Sequence, residues 1–517
     1  MIDKVLITTS GIGSRLGNLT NFTNKCLVRI GNKPAISHII ESYPSNFEFI
    51  ITLGHYGDLV QQFLELTYPD HKFIFVKVDK YRGEGSSLGY SILKTEPYLK
   101  TPFIFHACDT LFSNTEIVQS MVNSKVNFCI GAKTKDASQY ATLLVSGNKL
   151  KEIKLKGELN FDLAYVGVSG IVNHDLFFKT IKDLYKKDPN NQSLNDSQAI
   201  NKMLLLSDFF ILETDSWLDM GNTGELKKAR QFYKSEADVL EKAEESIYFF
   251  EDFVVKFFSN KEISANRVKR ADYLKNLIPD ITDSTENFYK YNKVKGSLLA
   301  ESINEHKFKN LLNWSQKNLW KKQQVLNFKD TSYDFYVKKT FTRINKYLKL
   351  NDDVYSINGV TVLPIYELLN KIDFDWLCSG IPVSFHGDFI LDNILETEKG
   401  FCLLDWRQDF SGNLNCGDIY YDLAKLNHNL TINHEIVNKK LFEENSNNCY
   451  ILCNSKHIEC KKILKTFIEQ NGFDYKKVQL LTSIVWLNMS PLHEYPFNKF
   501  LFNFGKYNLT KVLENEH

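Results

Sequence analysis

Lys4-Val5-Leu6-Ile7-Thr8-Thr9-Ser10-Gly11-Ile12-Gly13-Ser14-Arg15-Leu16 decides the fold of the N-terminal part of the chain. The aliphatic and β-branched run Lys4-to-Thr8 has the length of a strand buried on both faces. It breaks at once into glycines, the punctuation of a strand-to-loop turn. Working outward, FEFIITL at 47–53, KFIFV at 72–76 and PFIFHA at 102–107 read as further buried strands. Helical patterns such as Leu59-to-Leu66 lie between them. That alternation predicts βα units around a mainly parallel sheet, with ligands at the C-terminal strand ends. Ser10, Gly11 and Gly13 then stand where backbone amides can approach phosphate oxygens, and Arg15 adds a fixed, fork-shaped charge. A glycine turn after a strand is in itself more often only a turn, so the downstream residues decide its meaning.

At 517 residues the chain is too long for one ordinary core. Hydrophobic residues make up 43% and charged residues 24%, as in globular proteins. A formal net charge of +1 gives no bulk reason to expect nucleic acid or an acidic membrane as partner. The start MIDKVLITTSG has no signal-peptide pattern, and no apolar run is long enough to span a bilayer. With nine cysteines and no secretion signal, the expectation is reduced thiols, a cytoplasmic location and no membrane insertion. The expected partners are small-molecule substrates, and the sequence leaves room for a homo-oligomer.

Several segments follow the glycine turn in order: Leu19-Thr20, Asn24-Lys25, Gly31-Asn32-Lys33-Pro34, Gly83-Glu84-Gly85-Ser86-Ser87-Leu88, Ala107-Cys108-Asp109 and Ser216-Trp217-Leu218-Asp219-Met220-Gly221. Together they resemble the nucleotidyltransferases that make nucleotide sugars and CDP-choline-type compounds, over about residues 1–230. The family opening reads roughly A-A-G-x-G-x-R-L, L-T, P-K and G-K-P; here Asn24 stands in place of the proline before the lysine. The resemblance implies that Arg15 and Lys25 hold the triphosphate and stabilise charge at the α-phosphorus. It implies that Gly83, Gly85 and Ser86 face the base and ribose, and that Asp109 and Asp219 hold Mg²⁺. A lysine before Tyr165-Val166-Gly167-Val168 meets the acceptor phosphate in the sugar enzymes. Lys156 is the candidate, with Lys154 as the other.

The C-terminal half turns on His386-Gly387-Asp388-Phe389-Ile390-Leu391-Asp392-Asn393, followed by Leu403-Leu404-Asp405-Trp406-Arg407. Phosphoryl transfer from ATP needs such a set: one carboxylate for the alcohol proton, and an amide and a second carboxylate for Mg²⁺. The motif resembles the aminoglycoside phosphotransferase and choline kinase superfamily. Asp388 is then the catalytic base, and Asn393 and Asp405 are metal ligands. Many members have a second histidine where Ile390 stands, and choline-kinase-like members often lack it. Gly417-Asp418-Ile419-Tyr420-Tyr421-Asp422-Leu423-Ala424 matches the family's G-D-x-x-Y-D-L-A, with a buttressing role expected. Val254-Val255-Lys256-Phe257 resembles the strand carrying the ATP lysine, Lys256; Glu262 and Asp272 are weak candidates for its acidic partner. Tyr289-to-Gly296 resembles the adenine hinge, and no glycine-rich loop precedes Lys256.

The expected architecture is an α/β chain. A Rossmann-like mixed or parallel-sheet domain spans 1–230 and a linker helix 231–245. An α+β protein-kinase-like domain spans 246–517, with its N-lobe at about 246–295 and a helical C-lobe at about 296–517. The expected chemistry uses ATP, a second NTP (CTP, UTP or GTP) and Mg²⁺ at both sites. Phosphorylation of a small hydroxyl compound, favoured as a sugar, would precede nucleotidyl transfer to the product, feeding capsule or lipopolysaccharide synthesis. The alternatives are a CDP-alcohol made from choline or ethanolamine, and a chain in which one domain has lost catalysis and regulates. Cys449, Cys453, His457 and Cys460 fit no common zinc spacing. Trp486, Tyr495, Phe497, Phe500 and Phe502 are read as core in preference to a quaternary-ammonium cage.

Overall fold

A computed structural model describes residues 2–135, 137–235, 242–445 and 448–514. Its largest sheet has nine strands, in the order Lys72–Lys77, Glu48–Leu53, Lys4–Thr8, Phe103–Ala107, Leu163–Ile171, Phe128–Ala132, Phe210–Thr214, Lys149–Lys154, Thr142–Ser146. The first four are parallel, with Val5 opposite Phe49 and Ile104. Leu163–Ile171 runs antiparallel to both its neighbours, Phe103–Ala107 and Phe128–Ala132, so the sheet is mixed. Alternate residues feed two cores, as a strand buried on both faces requires. Val5, Ile7, Phe49, Ile51 and Ile104 join one core, and Leu6, Ile50, Phe103 and Phe105 the other. The helix Gly57–Thr67 closes the first core with Val60, Phe63 and Leu64.

The chain divides into two compact units: residues 1–261 with 282–291, and residues 262–281 with 292–517. A four-stranded sheet orders Glu245–Phe249, Phe253–Phe258, Phe288–Asn292 and Ile281–Ser284. Most of it clusters with the N-terminal half, because its apolar face completes that half's core. Tyr248 donates its hydroxyl to Leu27 O at 2.7 Å and meets Phe63 edge-on at 5.3 Å between ring centroids. Asn287 N donates to Gln62 Oε1 at 3.0 Å, and Phe249 N to Asn32 O at 2.8 Å. The expected linker helix over 231–245 needs correction in its described part. The helix is Thr223–Phe232, and an isolated bridge joins Lys242 to Glu245, where a strand begins. Residues 236–241 lie outside the described residues.

The second unit is largely helical. The helix Tyr475–Met489 packs on Ile419–Asn429 and on Phe497–Glu514. A hairpin of Ile394–Thr397 and Gly400–Leu403 and a short pairing of Pro382–Val383 with Gly417–Asp418 frame the loop that carries Asp388. Trp486, Phe497, Phe500 and Phe502 are buried, and Tyr347 stacks on Phe502 at 4.2 Å. Tyr495 alone of the five expected aromatics is exposed, at 71%. Among the described residues no group of three or more His, Cys, Asp or Glu side chains is placed to hold a metal, and no helix is long and apolar enough to cross a membrane.

Candidate functional site

The first unit gathers its charged candidates at the C-terminal ends of Lys4–Thr8 and Phe103–Ala107. Gly13 has φ +71°, and a Cβ there would lie 2.9 Å from Lys25 Cβ. Glycine thus allows both the left-handed turn and the approach of the lysine stem. Asn24, fully buried, donates Nδ2 to Thr9 O at 2.7 Å and to His55 O at 2.6 Å, tying the glycine loop to the next strand's end. Gly54 lies against the same loop, and a Cβ on it would meet Ser10 O at 2.5 Å. Beside it an open cleft of about 420 Å³ is lined by Gly54, Gly57, Asp58, Val78, Tyr81 and others. Gly83 and Gly85 have φ of +73° and +75°, Ser86 Oγ donates to Gly83 O, and Ser87 caps the helix Leu88–Leu93.

Asp109 follows its strand directly, and Asp219 reaches it through the pairing of Trp217–Asp219 with Thr110–Phe112. Met220 N donates to Asp109 O at 3.0 Å, which fixes the two segments together. The space at Gly221 shows the convergence. A Cβ there would lie 3.2 Å from Asp219 Oδ1, 3.5 Å from Asp109 Oδ2 and 3.5 Å from Arg15 Nη2. Lys25 Nζ stands 2.7 Å from Asp109 Oδ2, each side chain 18% exposed. Burial disfavours both charges, but the pairing outweighs it: the Asp109 carboxyl sits below its ordinary range and the Lys25 ammonium above its own. Asp219 is raised, by burial first and then by the like charge of Asp109. Lys156 is exposed; partial desolvation and Arg15 lower its ammonium, and Asp219 and Asp109 act in the opposite sense, so it lies within electrostatic reach of the cluster. Lys154 donates instead to Leu159 O and Asn160 O.

In the second unit the loop Ser384–Ile390 is held from below by Asp422. This buried carboxylate accepts from His386 N at 2.8 Å, Gly387 N at 2.7 Å and Trp320 Nε1 at 3.1 Å. Asp418 caps the same helix and accepts from Ile381 N and Tyr336 Oη. Burial raises both carboxyls to about 6. His386 lies near Leu404 O at 2.8 Å and, lowered by burial to about 4, is neutral at pH 7. Asn393 Nδ2 donates to Asp388 O at 3.0 Å and Oδ2 at 3.3 Å, and Leu404 N to Asn393 O at 2.7 Å. The loop and the strand end carrying Asp405 are thereby locked to each other. Asp405 has φ +56° and pairs with Arg267; Trp406 Nε1 donates to Arg267 O. Arg270 donates to the carbonyls of Phe385, Arg407 and Leu414. Asp388 Oδ1 lies 2.6 Å from Lys425 Nζ. Burial works against the Asp388 charge, but Lys425 prevails and holds the carboxyl down at about 2.

The sequence marked Asn24 only as a departure from the proline, and it did not single out Gly54, Arg267, Arg270 or Lys425. Only Lys425 had a usable signal: it lies three residues after Asp422, on the helix face that meets the loop. Lys256 is buried in the strand Phe253–Phe258, within the first unit.

No protein-family model matches the chain. The Bifunctional protein GlmU of Methanococcus vannielii is 23% identical over 238 residues, 44% of this chain and 54% of that protein. The chain therefore spans about half the length of this curated relative. A Bacillus anthracis structure described as a glucose-1-phosphate thymidylyltransferase is 22% identical, with TM-score 0.39, covering 46% of this chain and 98% of that one. The CTP:phosphocholine cytidylyltransferase of Streptococcus pneumoniae is 18% identical, with TM-score 0.39, covering 45% and 100%. The inositol-1-phosphate CTP transferase of T. maritima is 18% identical, with TM-score 0.38, covering 46% and 98%. The similarity to these proteins covers about 45% of the chain, in its N-terminal half.

Proposed function

We propose that the chain performs two consecutive transfers: its C-terminal unit phosphorylates a small hydroxyl compound with ATP, and its N-terminal unit joins a nucleoside monophosphate to the phosphorylated product. The observation that carries the nucleotidyl step is the meeting of Arg15, Asp109 and Asp219 at Gly221, with Lys25 and Lys156 around them. Two half-buried carboxylates, of which Asp109 raises the cost of ionising Asp219, suit Mg²⁺, which takes carboxylate and phosphate oxygens and neutralises the triphosphate. When bound, the ion supplies charge neutralisation at the transferring phosphate. Lys25 is then released from Asp109 toward the triphosphate, Arg15 steadies the α-phosphate, and amides of Ser10–Gly13 hold the remaining oxygens. Lys156 orients the acceptor phosphate. One of its oxygens attacks the α-phosphorus, the bond from the α-phosphorus to the bridging oxygen breaks, and pyrophosphate leaves.

For the kinase step the support is the lock between Asp388, Asn393 and the Asp405 strand end. Asp388, ionised at pH 7, orients the acceptor hydroxyl and takes its proton as the oxygen attacks the γ-phosphorus and ADP leaves. Asn393 and Asp405 suit Mg²⁺, provided Arg267 yields its place on Asp405. The favoured product is a sugar-type phosphate, and the nucleotide-activated compound would serve surface polysaccharide synthesis in the cytoplasm. Trp486, Phe497, Phe500 and Phe502 are buried, which favours reading them as core. Two variants test the division of labour. Asp388→Asn should abolish acceptor-dependent ADP release and leave pyrophosphate release intact, and Asp219→Asn should do the reverse. Loss of both activities in either variant, or of neither, overturns it.

A further inference from the structure

The helix Lys339–Leu348 enters from a π-helical turn at Asp334–Lys338, a local distortion that concentrates at functional sites. It brings Lys339 and Arg343 into a group of cations with Arg407 and Lys425, the partner of Asp388. Lys339 Nζ lies 4.1 Å from the centroid of the Phe335 ring and 5.6 Å from that of Tyr421. The Arg407 guanidinium covers the same Phe335 ring at 4.9 Å. Arg343 stands one turn along the helix from Lys339 and acts on it, as do Arg407 and Lys425. Lys425 in turn holds Asp388 at 2.6 Å. Asp409 acts on Lys339 from the opposite sign, and Asp388 is engaged by Lys425. Burial and the neighbouring cations hold the Lys339 ammonium well below its ordinary range, so its charge is opposed where it sits.

We propose that the hydroxyl compound phosphorylated at Asp388 is an acidic member of the sugar-type class, whose carboxylate or phosphate group seats against Lys339, Arg343 and Arg407. The proposal rests on the kinase reading and names its substrate class. An anion relieves the mutual repulsion of these cations and is held by charge-assisted hydrogen bonds that also aim its hydroxyl at Asp388. A quaternary ammonium or ethanolamine would meet four cations at that place and be repelled. The Phe335 and Tyr421 rings keep Lys339 and Arg407 in position by cation–π contact, so the anion seat is present before the substrate arrives.

The test uses the full chain with ATP and Mg²⁺ and compares D-glycerate, glycerol 3-phosphate, glucose and choline as acceptors. The expected result is that one acid exceeds glucose and choline in kcat/KM by at least about tenfold. The carboxylate and phosphate arms tell which anion is used. Lys339→Gln and Arg343→Gln should each raise the KM of that acid about tenfold or more, with the KM of ATP within about threefold of wild type. Arg343→Gln, on the outer turn, serves if Lys339→Gln does not fold. Preference for choline or glucose, an unmoved acid KM, or an ATP KM that rises in step overturns the proposal. If no acceptor releases ADP, the kinase reading fails, and calorimetric titration with the same two acids then judges the seat. Binding that Lys339→Gln removes sustains it, and no binding of either acid overturns it.

Discussion

Breaking the Lys25–Asp109 pair is the perturbation whose size the structure fixes best. At a separation of 2.7 Å and an effective dielectric of about 20, the attraction is roughly 6 kcal/mol. Desolvation offsets part of it, and the 18% exposure of each side chain screens more, leaving an expected coupling of about 2–3 kcal/mol. Asp109 is held below its ordinary range, so the stabilisation is present above the unfolded carboxyl range and lost as pH falls through the folded value. At pH 7 it is complete. Lys25→Met and Asp109→Asn should each destabilise the protein, and the double variant should cost less than their sum by that coupling. Urea denaturation of the full chain measures the cycle, with amide exchange in the strand Phe103–Ala107 assigning the transition to this unit. Adding Mg²⁺ and a bound NTP should shrink the coupling, because each partner then has another counter-ion. A coupling below about 0.5 kcal/mol without ligand would refute the reasoning.

Three further outcomes follow from the geometry. Lys425→Met removes the charge that holds Asp388 near 2, so the acid limb of the phosphorylation rate profile should move up by a pH unit or more; an unmoved limb contradicts the assignment. Asp422 is raised from 3.8 to about 6, so its contribution is present below the lower value and lost as pH rises through the upper. Relative to Asp422→Asn, the wild type should therefore lose about 2.4 kcal/mol between pH 4 and pH 7, read by tryptophan fluorescence in urea, with Trp320 beside the site. Gly13→Ala forces a side chain into φ +71° and into Lys25 Cβ; a loss of about 1–2 kcal/mol of stability and weaker NTP binding should appear in denaturation and in the KM for NTP.

Local pattern made much of this legible. Lys4–Thr8 was bounded to the residue because its period and its glycine stop agree, and Asp109 and Asp219 stood in segments whose order carried meaning. The loop that carries Asp388 was legible for the same reason: its residues are close in sequence. What the sequence could not show depends on contacts between distant residues. Tyr248 on Leu27 and Asn287 on Gln62 are more than two hundred residues apart, so the grouping of the sheet from Glu245 to Asn292 with the N-terminal half had no local signal. Asn24 reads as a departure from the proline of the resembling family, and only its two buried hydrogen bonds reveal a tether. Lys339 and Arg407 look like ordinary surface cations until Phe335 brings them together.

The central claim is that the Arg15, Lys25, Asp109 and Asp219 cluster transfers a nucleotidyl group to a phosphorylated acceptor. Its most direct test is pyrophosphate release by the full chain with Mg²⁺. CTP, UTP, GTP and dTTP are each paired with sugar 1-phosphates, phosphocholine, phosphoethanolamine and the product of the proposed phosphorylation. The account predicts stoichiometric pyrophosphate with one preferred pair, abolished in Asp219→Asn. Absence of pyrophosphate with every pair, or undiminished release by Asp219→Asn, would contradict it.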